Sequence, residues 1–79
     1  MQDSHTAQLR RDAQLKLATL TEREREYALA TVTGASDAEL AAQFFVSETT
    51  VKSALATIRM KLGLRTKTDV AVLVARAGN

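Results

Sequence analysis

Residues 36–63 read SDAELAAQFFVSETTVKSALATIRMKLG, and this stretch decides the fold. Ser36 and Glu39 form an S-x-x-E capping box, in which hydroxyl and carboxylate each satisfy a backbone N–H. A helix therefore starts here and runs to about Phe44. Ser47 caps the next helix, and Gly63, after Leu62, ends it, because the position just past a helix usually needs positive φ. Only Phe45 and Val46 form the joint between the two. Helices joined so closely must cross steeply, which is the helix-turn-helix arrangement. Phe45 and Val46 are expected to plug the angle between them.

The helix over 47–62 carries the functional reading. Val51, Leu55, Ile58 and Leu62 fall at i, i+4, i+7 and i+11, one narrow stripe that must be the core face. Opposite lie Thr49, Ser53, Ala56 and Met60, flanked by Lys52 and Arg59. A helix that is merely solvated usually carries Glu and Lys there. A small, polar face with flanking cations suits close approach to a groove lined with phosphates. A three-helix bundle with no DNA role would show the same periodicity, so that alternative stays open at this point.

Working outward, Thr21 and Glu24 form another capping box, and Glu22, Glu24 and Glu26 suit the positive end of that helix. Gly34 is its natural stop. Thr66 with Asp69 opens the last helix, which reaches about Ala77 with Gly78 after it. Leu9, Ala13, Leu17 and Leu20 recur at spacings of four, four and three, predicting a short amphipathic helix that docks on the core or connects to another domain. Residues 1–8, MQDSHTAQ, have no such period and read as frayed or as linker. The expected fold is all-α: a four-helix bundle with a central helix-turn-helix, plus a short N-terminal linker helix. Residues 1–19 are expected to be the linker or amphipathic segment, and 20–79 the domain.

Composition excludes most chemistry. A chain of 79 residues makes one domain with no room for a large enclosed site. There is no cysteine, and the one histidine, His5, lies in the polar N-terminal stretch. Paired carboxylates in a cleft, a nucleophile–base pair and a phosphate-cradling glycine loop are all missing. The sequence therefore predicts no enzyme, no metal, no cofactor and no small-molecule ligand. Without an apolar run of about 18 residues or a signal-peptide pattern, a cytoplasmic protein that does not engage a membrane is expected. Net charge is only +2, but its distribution is uneven. Residues 1–46 carry five Lys/Arg against seven Asp/Glu, whereas 47–79 carry six against two. A basic half joined to an acidic half is a hint of nucleic-acid contact.

The run LTEREREYALATVTGASDAELAAQFFVSETTVKSALATIRMKLGLRTKTDVAVLV, residues 20–74, resembles the DNA-binding domain of LuxR-type regulators. It looks closest to the output domain of NarL/FixJ response regulators in two-component systems. LTEREREYA, GASDAELAAQFFVSETTVK and IRMKLGLRTK carry the likeness by their order and gaps. The resemblance implies four helices, the middle pair forming the helix-turn-helix and the last a common dimer contact. It implies bacterial transcription regulation by operator binding, with Thr49, Lys52, Ser53 and Ala56 at the base-reading positions and Thr50 near the DNA backbone. The sequence departs from the family at Ala54, where many members carry histidine, and at Asp37, frequently asparagine. Tyr27, Ala28 and Ala30 also stand out, 28 and 30 being typically larger aliphatics, and Phe44 replaces the usual leucine.

On this reading Lys52 donates to guanine O6 or N7, and Thr49 and Ser53 hydrogen-bond bases or touch a thymine methyl. Lys61, Arg65 and Lys67 reach phosphates, although Lys61 serves equally as an ordinary solvated lysine. In the last helix Val70, Leu73 and Val74 pack inward. Val72 and Ala75 then form an exposed strip fit for a homodimer contact, unless that helix is buried on all sides. RNA polymerase would be a further partner of such a regulator. Two rivals remain: a promoter-reading region of a sigma factor, and a helical protein-interaction module without DNA binding.

Overall fold

The computed structural model describes residues 3–78, in five helices: α1 (Asp3–Leu17), α2 (Glu22–Ala30), α3 (Asp37–Phe44), α4 (Glu48–Leu62) and α5 (Lys67–Gly78). The four helices expected from capping signals are α2 to α5. Each start is held as its sequence dictates. Thr21 Oγ1 accepts the Glu24 N–H at 3.1 Å while Glu24 Oε1 accepts the Thr21 N–H at 2.8 Å. Ser36 and Glu39 repeat the pattern at 3.1 and 2.8 Å, and Thr66 and Asp69 at 3.0 and 3.2 Å. Ser47 Oγ accepts the Thr50 N–H at 3.1 Å. A cap of this kind is worth about 0.5–2 kcal/mol.

The stripe on α4 is the centre of the core: Val51, Leu55, Ile58 and Leu62 are all buried. Leu40 and Ala41 of α3, Tyr27, Ala28 and Ala30 of α2, and Val70, Leu73 and Val74 of α5 close around it. α4 packs on α2 and α3, whereas α5 packs chiefly on α1 and on the turn after α2. The resulting body measures 46 × 21 × 21 Å.

Three local expectations are corrected. α2 does not run to Gly34; it tightens into a 3₁₀ turn over Thr31–Thr33. The hydroxyls of Thr31 and Thr33 donate back to the carbonyls of Ala28 and Ala30 at 2.6 and 2.9 Å, drawing the turn in. Gly34 then ends it at φ 77°. The N-terminal helix begins at Asp3, well before Leu9, so residues 3–8 are helical; residues 1–2 lie outside the described residues. Alanine, glutamine, leucine and arginine favour helix without any apolar period, and Gln8 adds an i,i+4 bond to Asp12 at 2.9 Å. α1 docks on α5 by Ala13 and Leu17, and Gln14 Nε2 donates to the Ala77 carbonyl at 3.1 Å.

The third correction concerns the joint of the helix-turn-helix. Val46 packs against the core as expected, but Phe45 is 94% exposed and plugs nothing. α3 ends in a Schellman turn: the Val46 N–H returns to the Ala41 carbonyl at 3.0 Å and Phe45 takes φ 57°. That left-handed residue reverses the chain, turning Val46 inward and the Phe45 ring out. The conformation costs a non-glycine residue about 1–2 kcal/mol.

Candidate nucleic-acid interface

α3 is fixed at both ends by cations from other elements. At its start, Lys67 Nζ donates to the Ala35 carbonyl at 2.6 Å and to Asp37 Oδ1 at 3.2 Å. At its end, Arg23 donates to the Phe44 carbonyl at 3.4 Å and lies over the Tyr27 and Phe44 rings at 5.2 and 4.9 Å. Those rings sit 4.4 Å apart, and half-buried Phe44 packs against the core. Buried Leu40 completes the seat of α3 against its neighbours. α3, so fixed, packs in turn on α4.

On α4 the predicted outward face is real. Thr49, Lys52, Ser53, Ala56 and Met60 are all exposed, on the side away from the buried stripe. From Thr49 to Met60 this face is about 16 Å long. A helix of about 10–12 Å diameter fits a major groove of about 12 Å. Among the described residues Lys52 has no ion-pair or hydrogen-bond partner, so its ammonium is available for an external acceptor. Thr50 is exposed at the same end, its hydroxyl 3.0 Å from Ser47 Oγ. Ala54 is half-buried at the rim of the core.

The other predicted cations divide. Arg65 is exposed and unpaired among the described residues. Lys61 is bound to Glu24 Oε1 at 2.7 Å, tying the end of α4 to the start of α2, and Lys67 is held at α3. The partners of these two lysines are far away in sequence, so nothing local signalled them. The Lys61 ammonium, aided by the Thr21 N–H, holds the Glu24 carboxyl below its ordinary value of 4.5. Such a group stabilises the fold above its unfolded pKa and loses that effect as pH falls through its lower folded value. Melting temperature measured from about pH 5 down to about pH 3 should therefore fall more steeply for the native chain than for Glu24→Gln. Parallel curves would show that the Lys61 pair contributes nothing.

Val72 (45% exposed) and exposed Ala75 face outward on α5, while Val70, Leu73 and Val74 are buried. The strip is one wall of an open groove of about 380 Å³ whose other wall, Thr6, Leu9 and Arg10, belongs to α1. Sequence reasoning overlooked that second wall. It also passed over Glu48, an exposed carboxylate in the first turn of α4, and Arg23, whose role depends on rings brought to it by folding. Among the described residues no group of three or more His, Cys, Asp or Glu side chains gathers as a metal site, and no helix is long and apolar enough to cross a membrane.

A family described as bacterial regulatory proteins, luxR family, matches residues 18–74. The chain belongs to the luxR family. The match runs from the approach to α2 well into α5 and spans the whole helix-turn-helix. It makes this luxR-family chain a helix-turn-helix DNA-binding domain of a bacterial transcription regulator. It also sets aside the sigma-factor rival. α1 lies wholly ahead of the matched segment, yet it is packed on the matched α5. No curated protein and no solved structure matches the chain significantly.

Proposed function

We propose that this luxR-family domain reads a specific double-stranded operator with the amino-terminal half of α4 in the major groove. One observation carries the reading: the outward face in the amino-terminal half of α4, Thr49, Ser53 and Ala56, is small and polar, and Lys52 beside it has no partner among the described residues. Lys52 donates to guanine O6 or N7, Thr49 and Ser53 serve as donors or acceptors, and Ala56 accommodates a thymine methyl. Thr50 and the backbone N–H groups at the start of α4 approach the phosphates. The parent regulator is read as a two-component response regulator whose output domain this is, acting as a homodimer through Val72 and Ala75. Paired domains then meet half-sites about one helical turn apart, and RNA polymerase is the downstream partner.

Selection of bound duplexes from a random pool, at roughly physiological salt to suppress non-specific binding, tests this. A short enriched motif is expected, present twice if the domain pairs on DNA. A folded protein that enriches nothing would overturn the reading and favour the protein-interaction alternative, for which Glu48 at the head of the face is the supporting feature.

Because Lys67 is occupied by Ala35 and Asp37, the phosphate contact falls first to Arg65. Arg65→Ala should reduce the salt slope of binding by about 0.9, the value for one released counterion. Lys67→Ala should leave that slope unchanged and lower the melting temperature instead. Binding titrations at several salt concentrations, with a thermal melt of each variant, separate the two roles; equal slope changes would return Lys67 to the phosphates.

A further inference from the structure

Phe45 breaks two rules at once. It is the only non-glycine residue with positive φ among the described residues, and it is 94% exposed. The joint after α4 shows what this geometry ordinarily uses. There the Leu64 N–H returns to the Arg59 carbonyl at 2.8 Å, Leu64 packs on the core, and the left-handed residue is Gly63. The joint after α3 has the same bond, from Val46 to Ala41, and the same inward apolar residue, but Phe45 stands in the glycine's place. Packing therefore asks nothing of the Phe45 side chain, and the backbone disfavours it. A residue that strains the chain and exposes an aromatic ring is a sign of function.

Its location says which function. Phe45 stands two residues before the Ser47 cap of α4 and four before Thr49, at the end of α4 that carries Thr49 and Lys52. The aromatic rings of Tyr27 and Phe44 pair with each other and leave this one unused. We infer that Phe45 is a further DNA-contacting residue of the interface. Its ring lies against the apolar wall of the groove that receives the start of α4, a surface formed by deoxyribose carbons or a thymine methyl. The inference rests on the proposed placement of α4 in DNA and adds an anchor to it. An uncharged ring displaces no counterions, so its contribution is independent of salt.

The test uses the full chain with Phe45→Gly, Phe45→Asn and Phe45→Tyr, the selected duplex, and two salt concentrations. Glycine and asparagine both suit a left-handed position, so these variants should melt no lower than the native chain. They should bind about three- to tenfold more weakly, from the lost apolar contact alone, with the salt slope unchanged. Phe45→Tyr, which keeps the ring, should bind as the native chain does. Replacing each thymine of the duplex by deoxyuridine identifies the surface. A loss seen for the native chain and not for Phe45→Gly marks a thymine methyl; equal behaviour, with the glycine variant still weaker, marks the sugar. Native affinity in Phe45→Gly and Phe45→Asn while Lys52→Ala binds poorly would overturn the inference and leave the α4 assignment standing. If Lys52→Ala also binds normally, the α4 assignment itself fails. A loss of affinity accompanied by a change in sedimentation would overturn the inference too, by giving the ring to a second copy of the chain.

Discussion

Lys52→Ala should weaken binding to the selected operator by about 5- to 150-fold, the range expected when a base-specific donor worth about 1–3 kcal/mol is removed. The variant should melt with the native chain, because Lys52 is exposed and has no partner within the described residues to lose. The effect should also depend on sequence. Against the preferred duplex the loss is large; against random duplex it reduces to that of one cation, a change of about 0.9 in the salt slope at most. A second selection with the variant should show preference relaxed at one base pair per half-site and retained elsewhere. Lys52→Arg should keep the guanine preference, since a guanidinium spans O6 and N7. Unchanged affinity and unchanged preference in Lys52→Ala would remove α4 from the groove.

That prediction rests on a face legible in the sequence alone, because a helix wheel is local information. The same is true of the four N-terminal caps, each a bond between residues three apart. What the sequence concealed was of two kinds. One is contact at long range: Lys61 meets Glu24 across 37 residues and Lys67 meets Asp37 across 30. The sequence offered Lys67 as a phosphate contact and Lys61 as either that or an ordinary solvated lysine; in the fold each also ties two elements together. The docking of α1 on α5 was equally hidden, because an apolar spacing tells which face is buried and not against what. The other kind is a choice between adjacent residues. Phe45 and Val46 are both apolar, and only the handedness of the Schellman turn decides that Val46 faces in and Phe45 out.

Leu40→Ala should do more damage than any change on the surface. Leu40 is fully buried, and α3 has only eight residues, of which Leu40 and Ala41 alone are buried. Truncating a buried leucine costs about 2–5 kcal/mol, and a domain below about 80 residues rarely has more than about 3–5 kcal/mol to lose. The melting temperature should fall by about ten degrees or more, or no cooperative transition should remain. Leu40→Met keeps the volume and should cost less than about 1.5 kcal/mol. The pairing with Lys52→Ala is informative. One variant should lose binding while melting normally; the other should lose binding in step with its folded fraction, so that cooling until it is folded restores much of the affinity. If Leu40→Ala instead melts as the native chain does, then α3 is held by the Lys67 and Arg23 clamps at its two ends and not by its core contact. In that case Lys67→Ala, rather than Leu40→Ala, should be the change that releases the helix-turn-helix angle.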